Sequence, residues 1–524
     1  MTISIRVTGL VCCAFVLFFS CAAAADPFTA TALCTLAETC HKQGRYLEAL
    51  SFYRDALQNS GPEGIPAGLY KNMGDIYADY LESYEQALAC YRKQAELFPA
   101  HCSAPDAHLR IARTLYLQGL KEQARAHYRF IGKTFPDYAK KSSVAEELQR
   151  MEKKEQPAPL SALSTGQPLP GHIRVLLKND ADPAELSAPG GLNVYIDRQI
   201  LFCAIPAGTR VSFRPDKDGI AIGSHGVVKT AVRIEAAAET GIEVDKTSYR
   251  GMLQIFLQDG KLMLVNHVPL EEYLYGVLAK EVPASWPAAA LEAQAVAART
   301  YALYNAVKNA PALFDLFSTT ASQAYGGRDS EKSAARNAVD ATRQRVLSYD
   351  GKLALTLYHA NSGAMTEAPQ DIWGWSSPYL QSRPDAFSRD MKNFTWNCSP
   401  AAEELAGRLQ QAGFPQPALE TITPLQRDSS GRITRIALQG GNRTAYLSGN
   451  SFRLLAGAGK IKSAQFSVER NKQSFIFNGS GYGHGVGMSQ WGACSMARQG
   501  YRAEQILQWY YPGTAAVTVC YQNK

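Results

Sequence analysis

Residues 265–301 read Val265-Asn-His-Val-Pro-Leu-Glu-Glu-Tyr-Leu-Tyr-Gly-Val-Leu-Ala-Lys-Glu281-Val-Pro-Ala-Ser-Trp-Pro-Ala-Ala-Ala-Leu-Glu-Ala-Gln294-Ala-Val-Ala-Ala-Arg299-Thr-Tyr301, and within this stretch the chain changes period. Upstream, short alternating runs at 172–177, 192–196, 210–213, 227–234 and 253–257 are separated by Gly, Asp and Pro and read as strands. Asp259-Gly260 has the composition of a hairpin turn. Downstream of Pro283, Ser285 reads as an N-cap and Pro287 sits in the first turn of a helix over 288–307. Glu281 falls in the turn before that helix, close to Pro283 and Trp286. Mixed strands and helices continue to the C-terminus, so this part of the chain reads as an α+β domain with a β-rich first part.

Working outward, the N-terminal region is helical and repeats itself. Gly44-Arg-Tyr-Leu-Glu-Ala49-Leu-Ser-Phe-Tyr53 returns as Tyr84-Glu-Gln-Ala87-Leu-Ala-Cys-Tyr91 and as Gly119-Leu-Lys-Glu-Gln-Ala124-Arg-Ala-His-Tyr128. The alanines stand 38 and 37 residues apart, and the tyrosines keep the same intervals. A small alanine lets two helices approach, and the aromatic four residues later fills the groove beside it. The pattern resembles tetratricopeptide repeats lengthened by three or four residues over the consensus of about 34. Units over 28–150 would form an all-α repeat, and the resemblance implies a concave surface for a protein partner. Pro157-Ala-Pro-Leu-Ser-Ala-Leu-Ser-Thr-Gly-Gln-Pro-Leu-Pro-Gly171 reads as a linker over 151–170. A fragment starting near Gly171 is accordingly expected to fold alone.

The first 25 residues read as a secretory signal: Arg6, an apolar run from Val11 to Phe19 too short for a bilayer, then Ala23-Ala-Ala25. The expectation is export to the periplasm or cell envelope. Cys21, after Leu17-Phe-Phe-Ser20, gives a looser match to a lipoprotein cleavage site. Three of the 11 cysteines lie in this segment, and the remaining eight form no CxxC pair, which argues against a zinc knuckle. With 54 basic and 47 acidic residues the net charge is +7, without the concentrated basic run of a nucleic-acid binder.

Three segments carry chemistry. Glu281 beside Pro283 and Trp286 would have its charged form disfavoured, raising its pKa toward that of a proton donor at neutral pH. On the following helix, at 100° per residue, Gln294 and Arg299 flank an apolar stripe of Leu291, Ala295, Ala298 and Ala302. The second segment, Leu357-Tyr-His359-Ala-Asn361-Ser-Gly363, delivers a histidine into a polar turn. The third, Gly479-Ser-Gly-Tyr482-Gly-His484-Gly-Val-Gly-Met-Ser489-Gln490-Trp491-Gly-Ala493, alternates glycines that let backbone approach a ligand or another strand. Asn361, Tyr482, His484 and Gln490 are the further candidates for substrate contact. No parallel-sheet unit surrounds the glycines, so a dinucleotide fingerprint does not apply.

Together these segments, with Tyr249-Arg-Gly251 and the closing Met496 to Thr514, resemble the stage II sporulation protein D/LytB family over about 171–521. The resemblance implies a lytic transglycosylase acting on peptidoglycan strands, with Glu281 catalytic and Gln294, Arg299 and His359 at the substrate. Some members bind zinc through the histidine and two cysteines. Here the nearest following cysteine is Cys398, and the residues after His359 are Ala360-Asn361, so neither metal nor cofactor is expected. Glu292 also departs from a position often held by lysine. The LytB side of the family implies one alternative, a non-catalytic enhancer of a wall amidase, and the repeats suggest another, a scaffold working through them. The expected partners are glycan strands and, on the repeats, an amidase or other wall enzyme.

Overall fold

The computed structural model describes residues 27–61, 64–152, 169–196, 200–389, 391–414 and 418–522. The signal segment and most of the Pro/Ser/Gly stretch lie outside them. The helical region comprises α1 (Pro27–Lys42), α2 (Tyr46–Asn59), α3 (Leu69–Asp75, continued by a π-helical turn Ile76–Tyr80), α4 (Tyr84–Leu97), α5 (Ala104–Leu117), α6 (Lys121–Thr134), α7 (Pro136–Lys141) and α8 (Val144–Glu152). The repeat residues do what their spacing predicts. Ala49, Ala87 and Ala124 are buried, as are Tyr53, Tyr91 and Tyr128. Each tyrosine hydroxyl also bonds a neighbouring helix: Asn72 on the following α3 donates to Tyr53 at 3.1 Å, Tyr91 donates back to Asp75 on α3 at 2.8 Å, and Tyr128 donates forward to Glu147 on α8 at 2.6 Å. A Cβ on Gly74 would stand 2.5 Å from the Tyr91 ring, so glycine is needed where that ring seats.

Strands then dominate: β1 (Leu169–Pro170), β2 (His172–Ala181), β3 (Ala184–Ser187), β4 (Leu192–Ile196), β5 (Ile200–Ile205), β6 (Val211–Asp216), β7 (Gly219–Ile222), β8 (Gly226–Val228), β9 (Val232–Ala236), β10 (Ile242–Val244), β11 (Thr247–Tyr249), β12 (Met252–Gln258) and β13 (Lys261–Pro269). Asp259-Gly260 makes the β12–β13 hairpin, with Gln258 opposite Lys261. A six-stranded sheet (β11-β10-β3-β6-β7-β8) packs on a seven-stranded one (β14-β2-β13-β12-β9-β4-β5, with β14 at Leu316–Phe317). Inward-facing Leu186, Phe213 and Ile222 meet Val194, Ile234, Leu253 and Leu264 in one core.

Helices α9 (Leu270–Glu281), α10 (Ala288–Lys308) and α11 (Ser333–Ala341) follow. Helix α9 corrects the sequence expectation: Glu281 is its last residue, not part of a free turn. Gly276 within it is required, since a Cβ there would stand 2.8 Å from the Gly327 carbonyl oxygen and from the Tyr325 ring. Val282-Pro283 stops it, because the residue before proline is driven out of the helical region. Helix α10 begins at Ala288 with no side-chain cap, so Ser285 does not serve as one.

The remaining elements are β15 (Arg345–Tyr349), β16 (Lys352–Leu353), β17 (Tyr358–His359), α12 (Pro369–Trp373), β18 (Thr395–Cys398), α13 (Ala402–Gln411), β19 (Thr421–Arg427), β20 (Ile433–Gly440), β21 (Arg443–Leu447), α14 (Gly449–Ala456), β22 (Phe466–Asn471), β23 (Ser474–Ser480), β24 (Met488–Ser489), α15 (Gln490–Arg498), α16 (Ala503–Tyr510), β25 (Ala515–Thr518) and β26 (Tyr521–Gln522). Strands β17 and β24 pair in parallel, so residues 360–487 leave the core and return to it as a lobe. The lobe has its own sheets, β18-β23-β22 and β19-β20-β21, around Phe452, Phe466 and Phe477.

The helical region is not a detached unit. Asn59 and Tyr446 exchange two hydrogen bonds, and Ser448 donates its N–H to Asp55 at 2.9 Å. Tyr77 donates to the Trp373 carbonyl at 2.8 Å, and Tyr80 donates to Asn305 on α10 at 3.1 Å. Glu82 bridges Lys308 and Lys352, each at 2.6 Å. Buried side chains of α1–α6 and of the lobe form one continuous cluster. Shared core of this kind contradicts the expectation that the part from Gly171 onward folds alone. No described helix is long and apolar enough to cross a membrane. The eight cysteines within the described residues are free thiols.

Candidate active site

Glu281 ends α9, where unpaired helix carbonyls already disfavour a negative charge. Two groups fix its half-buried carboxyl: the Ala324 N–H donates to Oε1 at 2.8 Å and the Gln490 amide to Oε2 at 3.1 Å. Burial raises its pKa above the ordinary carboxylate range, while the two hydrogen bonds hold it back. Among the described residues it forms no ion pair. The segments that carry Glu281 and Gln490 also carry Trp286 and Trp491, whose rings meet edge to face with centroids 4.8 Å apart. The amide of Gln490 offers both a donor and an acceptor, so it suits either protonation state of the acid.

The loop presenting Ala324 is itself pinned. Gln323 donates to the Tyr358 hydroxyl at 2.9 Å and to the Ala298 carbonyl at 3.2 Å, and accepts from Tyr273 at 3.1 Å. Burial pushes the phenols of Tyr273 and Tyr358 well above the tyrosine range, with the nearby Glu281 charge adding to it, so both stay neutral. Residues 318–327 carry no motif that marks them as part of a site. That loop acts through a backbone N–H and an amide, neither of which a search for titratable side chains detects.

The β17–β24 ladder sets His359 opposite Ser489, one residue from Gln490, linking the histidine segment to the acid's partner. His359 is buried and its Nδ1–H donates to the Val486 carbonyl at 3.1 Å. That tautomer leaves Nε2 an acceptor, and among the described residues it has no partner. Burial, then the neighbouring His484 and Arg432, hold the imidazole well below its usual pKa, so it is neutral. Gln294 is likewise buried, with neither amide atom partnered. Leaving such groups unpaired costs about 1–3 kcal/mol each, which marks both as sites where a ligand's polar atoms would be welcome.

His484 folds back onto His359, edge to face, with centroids 5.6 Å apart, and Trp373 covers it at 5.5 Å. Burial pushes its pKa down to about 3. Tyr482 pairs its backbone with Asn361 and lies 5.5 Å from the Lys462 ammonium. Within the glycine string, a Cβ on Gly483 would stand 2.7 Å from the Cβ of His359, so glycine there lets the two loops touch. Among the described residues no three histidine, cysteine or carboxylate side chains gather as a metal-ligand group.

Two candidates have their polar atoms taken up by protein groups. Arg299 is fully buried, donating to both Glu271 oxygens (2.7 to 3.2 Å) and to the Val339 and Arg345 carbonyls. Glu271 is the second residue of α9 and is buried, and Arg299 neutralises it there. Asn361 is also fully buried, its amide donating to the Ser388 and Lys392 carbonyls and its oxygen accepting from Gly363. It shapes the turn. Thus Glu281 and Gln490 are in direct contact, His359 and His484 touch, Gln294 offers unpaired atoms, and Arg299 and Asn361 are structural.

The Stage II sporulation protein model matches residues 258–349, the tetratricopeptide repeat model matches 30–60 and 67–101, and a model described only as a domain of unknown function matches 378–487. An uncharacterized protein of Brachyspira hyodysenteriae is 31% identical over 307 residues, covering 58% of this chain and 82% of its own. Stage II sporulation protein D of Bacillus subtilis is 28% identical over 330 residues, 60% of this chain and 92% of that protein. An amidase enhancer of the same species is 30% identical over 289 residues, 46% of this chain but only 40% of that protein's length.

Proposed function

The chain belongs to the stage II sporulation protein D family and carries tetratricopeptide repeats, and from that premise we propose that it is a lytic transglycosylase of peptidoglycan. It would cut glycan strands, peptide-stripped ones included, and leave 1,6-anhydromuramic acid ends. The observation that carries this reading is the half-buried carboxyl of Glu281, raised in pKa and without an ion pair, held by one N–H and one amide.

Ordinary glycoside hydrolysis uses two carboxylates, one to protonate the leaving oxygen and one to activate or replace water. An internal nucleophile removes the second requirement, because a hydroxyl on the same sugar has a high effective concentration. Protonated Glu281 gives its proton to the glycosidic oxygen as the C1–O bond breaks. The resulting carboxylate takes the proton of the muramic acid C6 hydroxyl, whose oxygen closes on C1. The acid returns to its starting state and no water is consumed. His359 Nε2 and Gln294 would orient sugar hydroxyl or acetamido groups. We further propose export to the periplasm or envelope, and a wall enzyme as the partner of the repeat surface left free by the lobe.

A second reading follows from the amidase enhancer relative: glycan binding without cleavage. Incubation with peptide-stripped strands, followed by mass spectrometry, separates the two. Transglycosylation gives anhydro ends, hydrolysis gives reducing ends one water heavier, and the enhancer reading gives neither.

A further inference from the structure

The lobe contains a buried cation that the site described above does not use. Arg432 lies at the tip of the β19–β20 hairpin and is 3% exposed. Its guanidinium reaches from that tip to the segment where the chain enters the lobe, just after His359: Nη2 donates to the Ser362 carbonyl at 2.6 Å and Nη1 to the Met365 carbonyl at 3.0 Å. Its ion-pair partner is Glu367, at 3.4 Å, which also accepts from Ser430 at 2.7 Å. The tip is pre-shaped, since Asp428 accepts from the N–H groups of Ser430 and Arg432.

The same guanidinium lies under the glycine string. A Cβ on Gly485 would stand 2.6 Å from Arg432 Cζ, and the residue has φ +87°, so only glycine lets the string close over the cation. The two loops that meet there are tied to each other: Glu367 donates its N–H to the Gly485 carbonyl at 2.8 Å, and the next carbonyl, that of Val486, accepts from His359. Burying an arginine is costly unless its donors are used, and these are used to tie together the segments where the chain enters and leaves the lobe, next to His359 and Gln490.

We propose that the lobe, for which no function is assigned, is a clamp on the candidate site, with Arg432 as the positioning residue that fixes His359 and the glycine string relative to Glu281. The clamp rests on the transglycosylase reading for its catalytic consequence, but its geometry is testable without it. In the full chain, Arg432→Met and Arg432→Lys are compared for kcat and KM on peptide-stripped glycan. In parallel, NMR titration follows the His359 and His484 imidazoles, and glycan affinity is measured in a Glu281→Gln background.

Displacing the loops by about 1 Å is enough to cost roughly a hundredfold in rate, so Arg432→Met is expected to lose kcat on that scale. Burial and, for His484, Arg453 still hold the imidazoles down, but both should titrate higher because the Arg432 charge that adds to this is gone. Arg432→Lys, which keeps the charge, should recover part of the rate and most of the imidazole shift. A folded Arg432→Met with unmoved imidazoles and unchanged glycan affinity overturns the clamp. If the wild type does not cleave, the transglycosylase reading fails alone, and imidazole titration with glycan affinity still decides the clamp. If Arg432→Met does not fold, Ser430→Ala, which removes a hydroxyl bonded to both Arg432 and Glu367, takes its place. Unmoved imidazoles and affinity in that variant also overturn the proposal.

Discussion

Arg299→Met is expected to damage the fold, not the grip on glycan. The substitution removes every hydrogen bond from the guanidinium and leaves the Glu271 carboxylate buried with only the Gln344 N–H and the Tyr521 hydroxyl as donors. Taking one partner from a buried pair costs about 3–5 kcal/mol. The shift is roughly 2–4 °C per kcal/mol for about 150–250 residues and about half that for a cooperative unit of about 500, so Tm should fall by about 3–10 °C. Glu271→Gln should cost a similar amount, since it strands the cation. The double variant Arg299→Met/Glu271→Met should cost far less than the two singles together, because no uncompensated charge remains. Calorimetric melts of the four proteins at neutral pH measure this, alongside glycan affinity well below each Tm. An Arg299→Met that melts like the wild type yet binds glycan at least tenfold more weakly would refute the structural role.

Three other outcomes follow from the interface and the site. Burial raises the Asp55 carboxyl to about 6, so its contribution to stability is full below about pH 4 and is lost as pH rises through about 6; two pKa units correspond to roughly 3 kcal/mol. Asp55→Asn should therefore melt higher than the wild type at pH 8 and converge with it at pH 4, and the opposite order at pH 8 counts against a destabilising buried charge. A fragment starting at Gly171 should expose the surfaces that meet α2 and Tyr80 and bind a hydrophobic dye or precipitate, whereas the full chain should melt in one transition. A soluble, active fragment would restore the separable arrangement. Activity is expected to survive EDTA, because the donors near His359 are one further imidazole and backbone. About one zinc per chain, lost with activity in His359→Ala, would contradict this.

The repeat packing was legible because alanine and tyrosine at fixed intervals have one steric use, and the structure buries all six. The glycine string and Glu281 were legible for a similar reason: close backbone approach and a lone acid beside Pro and Trp leave few alternatives. Arg299 misled because angular position on a helix says which way a side chain leaves, not which buried carboxylate it meets. Helix α9 was missed because the change of period is plainest after Pro283, whereas the helix before it runs straight on from strand β13. The Pro/Ser/Gly composition over 157–171 carries no information on whether the flanking units share a core. Arg432 was invisible because its partners are carbonyls nearly 70 residues away in sequence.

The central claim is that one carboxyl, Glu281, cuts the strand by intramolecular closure. Peptide-stripped glycan digested by wild type and by Glu281→Gln, with the products weighed by mass spectrometry, tests it most directly. The account predicts anhydro-ended fragments from the wild type and none from the variant, which should retain its Tm and glycan affinity. The wild-type rate should fall as pH rises through the raised pKa of Glu281, since the protonated acid starts the reaction. Anhydro products from Glu281→Gln at more than a few per cent of the wild-type yield, or reducing ends from the wild type, would contradict it.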